Sequence, residues 1–331
     1  VHRATDQFTR WAPQVLLDVP NERSSHERPT LRGGGLAIVL AVVVGAALYA
    51  VLSGHWTEFA PYFLGAVLVA GVSLIDDVRS LPFAVRLAVH VAAAVLAIMA
   101  YTLGRGLPLP PLPSFVTAGA TLLWIVGLTN AYNFMDGIDG LAGTQAVIAA
   151  GAWIILGLVL GVPEVALLAA LVAGAAGGFL LHNWPPARIF MGDVGSAFLG
   201  YTFAVLPLMA WGTARLGVAA LCIVGVFVFD TAFTFLRRIS RGENVLQAHR
   251  SHLYQRLVVA GSSHGAVTSL YATLAAMLAA AGIAVALTPP YWLLLATMLT
   301  VGATAGLWLH VRRQERGTEA AASGTTESGG T

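Results

Sequence analysis

Lysine is absent from this 331-residue chain: all eighteen of its basic side chains are arginine. We attribute that skew to the base composition of the gene rather than to mechanism. Charge of either sign is scarce, at 10% of residues, where a soluble domain carries about 25%. Hydrophobic residues make up 57%. That balance excludes a soluble globular domain and leaves a polytopic membrane protein. The one cysteine, Cys222, excludes an intrachain disulfide, and its apolar neighbours give it no redox role. Residues 1–33 are polar and Arg-rich and lack the apolar core of a cleavable signal peptide. The net charge of +2 points to no class of partner.

What remains is a succession of long apolar runs. A spanning helix needs about 20 mostly apolar residues. Ten stretches qualify: 34–52, 59–75, 84–103, 115–132, 142–160, 163–181, 194–211, 216–236, 264–287 and 290–310. Continuous runs favour helices over a barrel, whose strands would alternate with period two. Glycines inside the runs, such as Gly174, Gly177 and Gly178, suit close helix packing in lipid. The sequence therefore predicts an all-α, polytopic helical bundle of about ten spans joined by polar loops. It divides into a polar N-terminal segment (1–33), a transmembrane domain (34–311) and a disordered tail (312–331) rich in Gly, Ser, Thr and Glu.

Arginine sets the orientation. The alternate connections that include 1–33, the Asp76–Leu81 turn, the loops after Asn133 and around Arg188, segment 237–262 and the tail hold fifteen of the eighteen Arg, and Arg86 lies just inside the span that follows the Asp76–Leu81 turn. The opposite connections hold Arg105 and Arg215 alone. The positive-inside rule places the first set in the cytoplasm.

The carboxylates fall on that same face. A carboxylate at the edge of a bilayer is costly unless paired, hydrated or bound to a cation, so it marks function by default. Asp76-Asp77 ends the second span, and adjacent carboxylates repel unless a cation offsets them. A solvated helix end beside Arg79 is the plainer account, and metal binding or proton abstraction is favoured over it. Asn130, Asn133, Asp136 and Asp139 recur at i, i+3, i+6 and i+9, a spacing that lets the first of them line one face of a helix as it leaves the membrane. Turn formation would explain Asp beside Gly. It would not explain two Asn still inside an apolar run. The segment lacks the closing Glu of a calcium loop.

Asp193 lies in a Gly-rich turn after Asn183 and Arg188, where backbone N–H groups suit phosphate oxygens. His249-Arg250-Ser251-His252 occupies the largest cytosolic loop. With no third soft ligand nearby it is a poor zinc site, and phosphate contact or acid–base work is favoured. The flanking Arg237, Arg238 and Arg241 read as attraction to anionic lipid. His90, His264 and His310 read as structural. Asp230 is open between a helix-packing hydrogen bond and the rim of the site. Together these groups describe a phosphate-and-metal site built for positioning and charge neutralisation.

These four ordered motifs, with Asn21-Glu22-Arg23 and Arg32-Gly33-Gly34-Gly35, resemble the polyprenyl-phosphate N-acetylhexosamine-1-phosphate transferases over most of the chain. The resemblance implies a Mg²⁺-dependent enzyme of the bacterial inner membrane, with Mn²⁺ also admitted. It would pass a sugar-1-phosphate from a UDP-sugar to undecaprenyl phosphate and release UMP at the cytoplasmic face. Its partners would be those two substrates and membrane lipid, with no nucleic acid; a homodimer is compatible. By the same resemblance Asp193 and Asp77 are metal ligands, Asp76 is the base and His249 is catalytic. Asn130, Asn133, Asp136, Asp139 and Asn183 line the nucleotide pocket, and Arg250 and His252 meet the diphosphate or sugar. Whether Asp76-Asp77 abstracts a proton or forms a covalent bond stays open.

Val78-Arg79-Ser80 after the Asp pair departs from both the GlcNAc-1-phosphate and the peptidoglycan branches, and His-Arg-Ser-His in the loop departs from the peptidoglycan branch. By resemblance the loop favours the branch that initiates O-antigen or other surface polysaccharides. That branch has a further N-terminal span, so with Val1 at the start the coding sequence is expected to extend upstream. The rival from another class is a cation- or proton-coupled transporter. Its ion sites would sit near the midplane, often between inverted repeats; here the acids lie at the boundary and no repeat is found.

Overall fold

A computed structural model describes residues 17–18, 30–102, 114–210, 214–245, 247, 249–288 and 292–327. Most of segment 1–33, with Asn21-Glu22-Arg23, lies outside the described residues, as does Arg105. The fold is all-α and polytopic, as a membrane protein of this composition must be, because only internally bonded backbone is tolerated in lipid. The helices are α1 Gly34–Ser53, α2 Trp56–Arg79, α3 Phe83–Thr102, α4 Ser114–Phe134, α5 Leu141–Val159 and α6 Pro163–Asn183. They continue as α7 Asp193–Met209, α8 Ala214–Ile223, α9 Gly225–Ser240, α10 Leu253–Val259, α11 His264–Leu287 and α12 Trp292–Glu327.

Among the described residues seven helices are long and apolar enough to cross a membrane, and an eighth span forms if α8 and α9 count as one. Those two meet at a bend of 79°. The continuous apolar run 216–236 gives no sign of it. The expected span 194–211 is the 17-residue α7. The expected tail differs as well: α12 stays helical through 312–327. A bidentate pair between Arg256 of α10 and Glu315, at 2.7 and 2.6 Å, ties that extension to the bundle.

α7 is the axis of the fold. Every residue from Val194 to Leu208 is buried, against α1, α2 and α4 among others. Trp124 of α4 donates to the Ala204 carbonyl at 3.0 Å, and the hydroxyls of Tyr62 and Thr202 share a hydrogen bond between α2 and α7. Small residues let backbones meet. A Cβ on Gly195 would sit 2.5 Å from the Gly35 Cα, so α1 and α7 cross there without side chains between them. Gly195→Val should therefore lower stability by about 1–3 kcal/mol, the usual cost of overpacking. Gly71→Ala, where the added carbon meets nothing, should melt with wild type in thermal unfolding of the detergent-purified protein. Equal melting of the Gly195 variant would rule out the close crossing.

The start of α7 is also fixed in position. Leu17–Asp18 (β1) pairs antiparallel with Thr30–Leu31 (β2), and Leu31 bridges in parallel to Ile189. The N–H groups of Gly34 and Gly35 then donate to the carbonyls of Phe190 and Met191, at 3.0 and 2.9 Å. The Arg-Gly-Gly-Gly segment thus holds the strand-like stretch that delivers Asp193.

Candidate active site

The end of α2 supplies two carboxylates with different surroundings. Asp77 directs its oxygens to the backbone N–H groups of Asp193 and Val194, at 2.9 and 3.0 Å. It caps the N-terminus of α7 from another helix, satisfying donors that have no partner within α7. Gly192, at φ 76°, makes room for this: a Cβ there would fall 2.9 Å from an Asp77 oxygen. Asp76 accepts from the Leu81 N–H through Oδ1 and from Arg86 through Oδ2, the latter at 2.6 Å. The same Arg86 nitrogen donates to Asp193 Oδ2 at 3.1 Å. One guanidinium therefore bridges carboxylates that are 117 positions apart in sequence, Asp76 and Asp193.

Asp136, in the turn after α4, joins this group. Burial, and then the negative charges of Asp193 and Asp77, push its carboxyl up to about 7, and Arg32 offsets them in part. Asn133 faces Asp193. The arrangement is a cluster with surplus negative charge, formed by the end of α2, the turn after α4 and the start of α7.

The other predicted residues surround it in two clusters. Asn183 is buried and commits its whole amide to backbone: Oδ1 accepts from Gly140 N–H at 2.9 Å, and Nδ2 donates to the Ile189 carbonyl at 2.9 Å. Asp139 accepts from Ala187 N–H at 3.0 Å and lies 3.4 Å from His264. Both residues staple the turn 136–140 to the loop 184–189. Asn130 donates to the Val126 carbonyl one helical turn back.

The His loop docks on the same turn. Tyr254 of α10 donates to the Phe134 carbonyl at 3.0 Å, passing over Gly137, where a Cβ would collide with its hydroxyl. His249 and His252 have ring centroids 5.0 Å apart, and Phe134 lies 6.3 Å from His252. Arg250 is exposed.

His249 is held neutral. Burial first, then the charges of His252 and Arg238, bring it down to about 4, while the Ser251 hydroxyl hydrogen-bonds its Nδ1 at 2.9 Å. A base with a lowered folded pKa binds fewer protons than the unfolded chain between that value and its ordinary one, near 6.5. Stability from this group should be complete above about pH 6.5 and fade as pH falls toward 4. Melting curves over that range should flatten in His249→Gln. A slope unchanged by the substitution would contradict the neutral assignment.

Residues 59–211 match the glycosyl transferase family 4 profile. The chain is 34% identical over 258 residues to the probable undecaprenyl-phosphate N-acetylglucosaminyl 1-phosphate transferase of Bacillus subtilis, covering 75% of this chain and 71% of that protein. The chain belongs to glycosyl transferase family 4. It is also 35% identical over 291 residues to the decaprenyl-phosphate N-acetylglucosaminephosphotransferase of Mycobacterium leprae (76% and 72% covered). Against the phospho-N-acetylmuramoyl-pentapeptide-transferase of Streptococcus pneumoniae it is 30% identical over 241 residues (68% and 71%).

Within this family 4 chain, sequence reasoning passed over Arg86. Its signal was present, since a lone Arg three residues into an apolar span is a functional candidate in its own right. Asp230, open on sequence, turns out to be the anchor of the His loop. It is fully buried in α9 and accepts from the N–H groups of Leu253 and Tyr254 at 2.8 and 3.1 Å and from Tyr271 at 2.6 Å. The His252 ring and the Thr234 hydroxyl complete its shell at 3.3 and 3.2 Å.

Proposed function

We propose that the chain transfers an N-acetylhexosamine-1-phosphate from a UDP-sugar to a polyprenyl phosphate, with undecaprenyl phosphate as acceptor. An acceptor phosphate oxygen would bond to the β-phosphorus as the bond from that phosphorus to the bridging oxygen breaks, and UMP leaves with the electron pair. The observation that carries this reading is the gathering of Asp76, Asp77, Asp136 and Asp193 from three chain segments at one end of the bundle. The arginine excess in connections at that end supports a cytoplasmic site in a bacterial inner membrane.

The donor set suits Mg²⁺, or Mn²⁺: hard oxygens, surplus negative charge and no soft ligand. Among the described residues no group of three or more His, Cys, Asp or Glu is placed to hold a metal ion. A Mg²⁺ here would therefore rely on one or two carboxylates and fill its shell with phosphate oxygens and water. Bound there, the ion would polarise the diphosphate and neutralise charge developing on UMP.

The remaining work falls to the chain's own groups. We assign Asp193, part-exposed at the mouth of α7, as the metal-binding carboxylate, with Asp76 taking the proton of the acceptor phosphate. Asp77 acts by position, through the α7 N-terminus. Asn133 and Asp136 face the nucleotide end; Asn130, Asp139 and Asn183 fix the turns behind them. Neutral His249, with His252 and Arg250, meets the diphosphate or sugar. The product would start a surface polysaccharide, O-antigen or cell wall.

The test incubates purified protein with Mg²⁺, undecaprenyl phosphate and a panel of UDP-sugars, following UMP release. Absence of UMP with every sugar, in detergent and in lipid, would sink the proposal.

A further inference from the structure

The bend between α8 and α9 opens a cavity of about 740 Å³ against α12, walled by Leu221, Val228, Phe229 and Val301. A second cavity, of about 560 Å³, continues from it: Phe233 and Trp308 line both. The second is lined by Arg237, Arg241, Arg256, Arg312 and Glu315. Apolar space thus runs along α12 into a basic end. From Thr297 to Arg312 the groove covers about 22 Å at the helical rise of ~1.5 Å per residue. That is roughly the depth of one leaflet with its headgroup region, half of the ~40–45 Å bilayer.

The basic end carries more positive than negative charge. Glu315 is its one carboxylate, and both oxygens are already held by Arg256. Among the described residues Arg237, Arg241 and Arg312 have no carboxylate at ion-pair distance. Arg237 gives one Nη to the Ser251 carbonyl at 3.0 Å, while its Nε is buried with no hydrogen-bond partner. A buried donor without a partner is costly, and guanidinium groups match phosphate oxygens in geometry as well as charge. Arg312 lies over the Trp308 ring, 5.0 Å from its centroid, at the junction of the two cavities.

We propose that this groove is a binding site for one anionic phospholipid, with a phosphate head among Arg237, Arg241 and Arg312 and an acyl chain along α12 toward the bend. Its one-leaflet reach suits a resident phospholipid better than a polyprenyl chain. The site lies behind the His loop, which Arg237 touches at Ser251.

The test is native mass spectrometry of the delipidated full chain with phosphatidylglycerol or phosphatidylcholine of matched acyl chains. Wild type should retain one phosphatidylglycerol with about tenfold preference, a difference of one decade in affinity. Arg241→Gln/Arg312→Gln should lose the preference and keep its melting temperature. Val301→Trp, which fills the apolar half, should lose both lipids. Equal retention of the two lipids by wild type would overturn the site, as would a preference that survives the double substitution. One-for-one displacement of phosphatidylglycerol by undecaprenyl phosphate would also overturn it, by giving the groove to the acceptor. The wild-type ratio and the displacement decide the matter even if a variant fails to fold.

Discussion

Asp193→Asn is expected to abolish UMP release while leaving the melting temperature unchanged or raised. Asparagine keeps the shape of the side chain and an oxygen that can still accept from Arg86. What it removes is one negative charge from a cluster that holds Asp76, Asp77 and Asp136 as well. In the folded chain that charge is opposed by its neighbours, so its loss relieves repulsion. In the reaction the same charge is what a divalent cation would need. The expected fall in turnover is about 10³-fold or more, or ~4 kcal/mol at the transition state.

The opposite signs of the two effects are the informative part. A residue that only held α7 in place would lose activity and stability together. Binding of Mn²⁺, followed by electron paramagnetic resonance without substrates, should weaken in parallel with turnover. Near-normal activity, or unchanged Mn²⁺ affinity, would remove Asp193 from the metal site. Such carboxylate clusters illustrate how a site keeps groups that the fold alone would discard.

The shared face of the Asp motifs was legible because bilayer topology is a one-dimensional rule. Runs of apolar residues mark the candidate crossings, and arginine counts argue for a common side. The roles within the site were less legible, because they depend on which backbone donors meet which carboxylate. Asp76 and Asp77 are indistinguishable as neighbours in sequence. In the fold one meets Arg86 and the other caps α7. Asn183 reads as a ligand in sequence and proves to be a staple between two loops, since both ends of its amide reach backbone that is remote in the chain. The bend at Val224 was hidden because hydropathy has no term for direction. The α12 extension was hidden because its hold, Arg256 on Glu315, joins residues 59 apart.

Asp230→Ala is expected to destabilise the protein by about 3–5 kcal/mol, the range for removing one partner of a buried charged network. The carboxylate is the common acceptor for α9, α10 and α11, and none of its donors can turn to water when it is gone. Leu253 and Tyr254 N–H open the first turn of α10, which needs an external acceptor. Tyr271→Phe removes one donor and leaves the acceptor with the rest, so it should cost only about 1 kcal/mol. The ratio between the two variants separates a hub from an ordinary hydrogen bond.

A second readout follows from where the strain would go. The segment released is 241–256, which holds Arg241, Arg250 and Arg256, so trypsin should cut it faster in Asp230→Ala at temperatures where the spans remain folded. Turnover should fall as well, because His249 and His252 reach the site through this anchor. Equal melting of the Asp230 and Tyr271 variants, with unchanged cleavage in the loop, would leave the His loop held by something other than Asp230. Since no histidine is altered, loss of activity with faster cleavage would show that the loop must be held against the turn at Phe134 for the carboxylate cluster to work.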